Sequence, residues 1–333
     1  MPRWNRPDAM EVNGVGVSPR SRGRCWRWRT SYGPRAPAAG ARRGALMSST
    51  PTVDAVMWPD RSWASSAAEW RLAEEIGIGR GWVYDHLNLQ PQHERWHEAT
   101  THLAAVAATT RRIGVGTMVM TPNFRHPAPS AKAATTLHDV SGGRFVLGVG
   151  AGGPGADSDA LGGPVLDRRD RMSRFAEWTG ALSRLLDGGP VDVEGRFTTV
   201  RSTVVTRGAS GRPPLAVAAT GARGMRVAVE HADLWITQDV SQDPRVYAGT
   251  AQAEVERQLR LLDETSRAAG RDPSTLARLV VLGYGCERPL ASEEALRDAL
   301  GRYGELGAGT VAVLWPRGED ATRRLDVLGS VLG

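Results

Sequence analysis

Residues 141–153, Ser-Gly-Gly-Arg-Phe-Val-Leu-Gly-Val-Gly-Ala-Gly-Gly, join a turn, a short apolar run and a glycine loop. Ser141, Gly142 and Gly143 supply the turn, and Phe145 to Val149 read as a buried strand. Gly150, Gly152 and Gly153 then leave the backbone uncovered at that strand's C-terminal end, which is where barrels and doubly wound sheets place their ligands. Many α/β proteins carry such a pattern for packing alone, so its weight comes from its neighbours.

Outward from this stretch, short β-branched or apolar runs alternate with longer amphipathic segments from Val53 onward. Strands are predicted at Val53–Met57, Gly81–Tyr84, Ile113–Met118, Arg144–Val149, Leu215–Ala218, Leu234–Ile236, Leu279–Gly283 and Thr310–Leu314. Eight such units predict an α/β fold of the (β/α)8 TIM-barrel type. Ser65-Ser66 is expected to cap a helix ended by Gly77, and apolar residues at three-to-four spacing predict helices over Arg168–Asp187 and Val255–Ala269. Gly188 to Pro214, with Val191, Val193, Phe197 and Val200 among polar residues, breaks the alternation and reads as a small inserted hairpin.

The 333 residues carry a formal net charge of +6, which on a folded surface would suggest nucleic acid. Residues 1–46, however, hold ten arginines against Asp8 and Glu11, a local +8; subtracting this from +6 leaves −2 for residues 47–333. The basic character therefore belongs to a leader rich in Gly, Pro and Ser, read as a disordered extension outside the native domain, with Met47 the more natural start. The leader has no run suited to a secretory signal or membrane span, and Cys286 is the body's one cysteine, so a cytoplasmic protein without disulfides is expected.

Two groups of residues carry chemistry. His93-Glu94-Arg95-Trp96-His97 matches H-E-x-x-H, which on a helix would set two zinc-binding histidines on one face. The third ligand is missing, since Thr100 and Leu103 stand where the longer motif needs Gly and His, and no glutamate occurs between Glu98 and Glu177. A zinc-dependent hydrolase is thus the alternative, and no metal is expected. The second group is Asp85-His86, directly after the second predicted strand. Polar residues there point into a barrel's mouth, and hydride removal from an alcohol needs a base for the hydroxyl proton. A histidine that merely bonds its own loop is the other reading.

Tyr84-Asp85-His86-Leu87, Thr121-Pro122-Asn123-Phe124-Arg125-His126-Pro127, Ala131-Lys132, Thr136-Leu137-His138 and Ser-Gly-Gly-Arg-Phe occur in an order and spacing that resemble the bacterial luciferase-like family of flavin and deazaflavin oxidoreductases, from about Asp54 to about Leu328. The resemblance implies FMN or the deazaflavin coenzyme F-420 in the barrel mouth, with a small organic molecule as substrate and His86 against the ring as the catalytic base. It also implies a β-bulge within Gly116–Pro122 with a non-prolyl cis peptide at Met118-Val119, although an ordinary strand end with Met as core filler remains open. The matching phosphate turn is Ala218–Gly224, through Thr220, Gly221, Ala222 and Arg223. Trp58, Asp85, His86, Thr117, Met118, Val119, Thr121, Gly150 and Gly152 complete the expected cofactor contacts, and Trp235 and Trp315 are further pocket candidates.

With FMN, a separate flavin reductase would supply reduced cofactor and oxygen insertion would follow; with the deazaflavin only hydride transfer remains. A barrel that binds flavin without turning it over is the non-enzymatic alternative. Two departures matter. Gly153 stands where deazaflavin sugar-phosphate dehydrogenases have a glutamate, and Gly150 where luciferases have an arginine. A homodimer is compatible with the resemblance.

Overall fold

The computed structural model describes residues 50–87, 95–239, 251–285 and 287–333. The chain divides into Met1–Gly44 and Ala45–Gly333, and every described residue belongs to the second unit. The predicted leader, residues 1–46, lies outside the described residues, as do Met47, His93, Glu94 and Cys286.

In chain order the elements are β1 (Thr52–Met57), α1 (Trp63–Ile76), β2 (Arg80–Val83), α2 (Ala99–Thr109), β3 (Gly114–Thr117), α3 (Pro127–Val140), β4 (Phe145–Val149), α4 (Ala156–Asp159), α5 (Arg168–Asp187), β5 (Pro190–Glu194), β6 (Thr199–Val204), β7 (Leu215–Ala218), α6 (Ala222–His231), β8 (Leu234–Gln238), α7 (Ala251–Ala268), β9 (Ala277–Leu282), α8 (Glu293–Glu305), β10 (Thr310–Leu314) and α9 (Ala321–Leu332). Eight parallel strands close in the order β1-β10-β9-β8-β7-β4-β3-β2, and β5 and β6 form the separate antiparallel hairpin. The predicted (β/α)8 barrel and its insertion are both present. Residue alternation along each strand explains two packed clusters: Val56, Trp82, Met118, Val146, Ala216, Ile236, Leu279, Val281 and Ala312 fill the inside, while neighbours such as Val83, Leu147 and Val217 pack outward under the helices.

Helix ends follow capping chemistry, with two shifts from the sequence reading. Asp167 accepts the Asp170 N–H at 2.7 Å and starts α5, and Gly77 ends α1 in the left-handed region at φ 97°. The α1 cap is Ser62, not Ser65-Ser66: its hydroxyl accepts the Ser65 N–H at 3.3 Å, so Ser65 lies inside the first turn. Helix α7 is described from Ala251, so it includes the turn before the predicted Val255, and Ala251 and Glu254 are buried in that turn.

Between α1 and α2 sits a buried histidine. His102 Nε2 lies 3.3 Å from the Ser66 hydroxyl and Nδ1 3.3 Å from His97 Nδ1. Burial, then the neighbouring His97, pushes its pKa down from 6.5 to about 4. The unfolded chain therefore binds this proton more readily, so the contribution is intact above pH 6.5 and is lost as pH falls toward 4. At about 1.4 kcal/mol per unit, roughly 3 kcal/mol of stability is expected to disappear over that window. Urea melts at pH 7 and pH 4.5 check this, and a His102→Gln chain should show a smaller difference between them.

Candidate active site

The barrel's carboxyl end is built around an interruption in the β3–β4 ladder. Val115 pairs with Phe145 and Gly116 with Val146, but pairing then resumes at Met120 with Val149, so β3 carries one extra residue. Met118-Val119 is a cis peptide within that bulge, as the resemblance implied. The Thr117 hydroxyl donates to the Gly148 carbonyl at 2.8 Å and accepts the Gly148 N–H at 3.0 Å. A Cβ on Gly148 would stand 1.9 Å from the Thr117 carbonyl oxygen, and one on Gly150 would stand 2.5 Å from Val119 Cγ2, so the bulge nests in backbone that side chains would fill.

Beside the bulge, the loop after β2 is fixed at its root. Asp85, 3% exposed, accepts from Arg125 Nε at 2.9 Å and Nη2 at 2.5 Å, and the same Nη2 donates to Glu98. Glu98 is at once the N-cap of α2, accepting the Thr101 N–H at 2.7 Å and the Thr100 N–H at 3.2 Å. Burial alone would raise this carboxyl; the bonds from Arg125, Thr101 and Thr100 outweigh it and hold the pKa at about 2. Burial raises Asp85 above the ordinary carboxylate range, with Arg125 pulling the other way.

One residue on, His86 Nδ1 lies 2.6 Å from Asp157 Oδ2, and Asp157 Oδ1 accepts the Leu87 N–H at 2.9 Å. A carboxylate accepts, so Nδ1 carries the hydrogen in the neutral ring and Nε2 is left as the unprotonated nitrogen, with no protein partner among the described residues. Asp157 belongs to α4, in the loop after β4. Around His86 stand Trp96, 5.7 Å between ring centroids, and Tyr84 at 6.4 Å; Tyr84 packs edge-on to Trp58 at 5.8 Å and its hydroxyl meets that of Tyr284. Burial pushes the Tyr84 phenol up to about 12.

On the far side of the mouth, α6 begins at Gly221 with no side-chain cap, so its first N–H groups face the ligand end of β7. Arg223 is exposed in its first turn, and Arg168 Nη2 comes within 3.9 Å of where a Gly221 Cβ would stand. Arg168, Arg171 and Arg174 repeat at i+3 along α5, and neither they nor Arg223 pair with a carboxylate among the described residues. Arg171 donates to the Leu166 carbonyl at 3.1 Å and Arg174 to the Asn123 side chain.

The predicted site residues follow the carboxyl ends of barrel strands: Trp58 after β1, Asp85 and His86 after β2, Met118, Val119 and Thr121 after β3, Gly150 and Gly152 after β4, and Thr220, Gly221, Ala222 and Arg223 after β7 at the start of α6. Thr117 differs, since it is fully buried and its hydroxyl is consumed by Gly148. Trp235 and Trp315 are corrections as well: both lie in the outer cluster, and Trp235 Nε1 donates to the Ala219 carbonyl at 2.8 Å. Residues Arg95–Glu98 are non-helical and α2 begins at Ala99, so His97 stands off the helix that a zinc pair requires. The sequence reading missed Asp157, Arg168, Arg171, Trp96 and Tyr284. A cue existed for α5, whose first two turns carry arginine at three-residue spacing.

A profile described as luciferase-like monooxygenase matches residues 42–317. Among curated proteins, the chain is 33% identical over 217 residues to an F420-dependent glucose-6-phosphate dehydrogenase of Microbacterium testaceum, covering 63% of this chain and 61% of that one. It is 30% identical over 221 residues to an F420-dependent hydroxymycolic acid dehydrogenase of Mycobacterium tuberculosis, covering 62% of this chain and 55% of that one. The chain thus matches about three fifths or less of either relative's length. A solved F420-dependent secondary alcohol dehydrogenase superposes with a TM-score of 0.72 at 17% identity, over 85% of this chain and 98% of that chain, which shows the shared fold. With the family profile spanning the barrel from before β1 to beyond β10, this chain belongs to the luciferase-like monooxygenase family.

Proposed function

We propose that this protein is a deazaflavin-dependent oxidoreductase that moves a hydride between the coenzyme and a small organic molecule, with His86 as the base for the substrate's hydroxyl proton. The observation that carries the reading is the His86–Asp157 pair at a parallel barrel's carboxyl end, beside the Met118-Val119 bulge. The names of the curated relatives favour the deazaflavin over FMN.

The residues fit such a coenzyme on this chain's own geometry. The uncapped start of α6, with Arg168 and Arg223 beside it and without a carboxylate partner among the described residues, suits a phosphate, and the glycines at 150 and 152 let the chain after β4 pack closely against Val119 of the bulge and Asn123. Bound there, the oxidised deazaflavin supplies a two-electron acceptor without oxygen chemistry. His86 Nε2 takes the hydroxyl proton, Asp157 orients the ring, and the Asp85–Arg125–Glu98 network holds the loop that carries both contacts.

Titration of the full chain with F-420 and with FMN, followed by absorbance and fluorescence, tests this. F-420 should bind at micromolar concentration or tighter and FMN more weakly, with Arg168→Ala/Arg223→Ala lowering F-420 affinity about tenfold and flattening its salt dependence. Tighter FMN binding, or association with neither, would remove the reading.

A further inference from the structure

Resting on the deazaflavin-linked reading above, we propose that Asp54 is a positioning residue: through the indole of Trp82 it sets the shape of the β3–β4 bulge, and with it the seat of the coenzyme ring. Strand β3 is flanked in the barrel by β2, which leads to His86, and by β4, whose loop carries Asp157. A ring held near the His86–Asp157 pair therefore lies over the bulge. Asp54 is 2% exposed and Trp82 fully buried inside the barrel, so both act on that seat from below, without touching a ligand.

Two missing side chains make room for the indole. Trp82 pairs in register with Gly116, where a Cβ would stand 2.5 Å from Trp82 Cε3, and a Cβ on Gly148 would stand 3.5 Å from Trp82 Cζ3. The indole thus fills the part of the inner layer that residues 116 and 148 leave empty. Those glycines are also the anchors of the bulge. Gly116 is the last β3 residue in regular pairing with β4, and the Gly148 carbonyl accepts from the Thr117 hydroxyl and from the Met120 N–H, each at 2.8 Å. The Met118 N–H donates to the carbonyl of Val83, next to Trp82, at 2.8 Å. A turned or shifted indole therefore moves the backbone under the bulge on both sides.

Asp54 fixes that indole. Trp82 Nε1 donates to Asp54 Oδ2 at 2.8 Å, and Arg80 Nη1 lies 4.0 Å from the same oxygen, with its guanidinium carbon 5.4 Å from the Trp82 ring centroid. Burial raises the carboxyl from 3.8 to about 6, outweighing Arg80 and the indole bond. At neutral pH the charge is therefore a net cost to the fold, one that an apolar residue in the same layer would avoid. What the carboxylate supplies instead is one fixed orientation of a large ring at the centre of the barrel.

Binding of F-420 to the full chain, followed by the coenzyme's fluorescence anisotropy, tests the proposal. Asp54→Leu removes the acceptor, and Trp82→Phe removes the donor while keeping a ring in the layer. Each should weaken F-420 about tenfold and lower the anisotropy of the bound coenzyme at saturation, since its ring is held less firmly. Asp54→Asn keeps an acceptor for the indole and should stay within about twofold of the parent chain. The Asp54→Leu/Trp82→Phe double variant should lose about as much as either single one, because both changes break the same bond. Denaturant melts identify the folded chains, and Trp82→Phe decides the question alone if Asp54→Leu does not fold. The proposal is overturned if a folded Asp54→Leu or Trp82→Phe chain binds F-420 as the parent does, if Asp54→Asn loses as much as Asp54→Leu, or if the two losses add. Failure of the parent chain to bind F-420 is seen before any variant is compared and overturns the underlying reading.

Discussion

His86→Ala is expected to lower kcat by about 10²- to 10⁴-fold, the usual worth of a positioned general base, while the protein still binds the deazaflavin. The geometry gives the reason. Asp157 occupies Nδ1 at 2.6 Å, which leaves Nε2 as the group able to take a proton, and Tyr84 is a poor substitute because burial holds its phenol at about 12. Asp157→Asn is expected to be milder, about 10-fold, since the amide oxygen can still accept the Nδ1–H and orient the ring, though as a neutral and weaker acceptor. Single-turnover measurement of coenzyme reduction separates chemistry from binding and release. A His86→Ala enzyme with wild-type turnover would return His86 to a loop-bonding role.

Arg125→Ala is expected to destabilise the fold by about 3–5 kcal/mol, the cost of leaving one member of a buried ion pair alone. Asp85 is 3% exposed and would face Glu98 without the guanidinium between them. The loss should exceed that of any exposed pair, for example Arg201–Glu194, whose partners are 77% and 73% exposed and whose contribution falls within about 1 kcal/mol. Denaturant melts of Arg125→Ala and Arg201→Ala chains decide it, and equal effects would mean that the Asp85 site is solvated. Glu98 adds a pH signature. Its pKa is depressed from 4.5 to about 2, so its contribution is full above pH 4.5 and is lost as pH falls toward 2, a window that lies mostly below that of His102.

The fold was legible because each barrel strand announces itself locally. Leu215–Ala218 and Thr310–Leu314 coincide with the predicted spans, and the others shift only at their ends, where hydrogen bonding rather than hydropathy sets the limit. The hairpin was readable from its alternating valines. The candidate site was readable as positions where its residues directly follow strands, as His86 follows β2, because barrel geometry sets such residues at the strands' carboxyl ends. Asp157 was not, since it comes from a polar loop 71 residues away and nothing in its neighbourhood marks it as a histidine's partner. Trp235 and Trp315 misled for the converse reason: closeness to a strand end does not say which face a side chain takes, and in β8 the inward positions are Leu234 and Ile236. The H-E-x-x-H match failed because Glu98 caps α2 and so starts the helix after His97.

That cap links two properties usually treated apart. Glu98 closes the first turn of α2 and holds Arg125, and Arg125 holds Asp85, the residue preceding His86. Fraying at this helix end therefore loosens the loop that carries His86 in the same event, so amide exchange at Thr100 and Thr101 becomes a reporter of how the His86–Asp157 pair is aligned. Under the proposed function, heat would then abolish turnover at a temperature where the barrel is still closed.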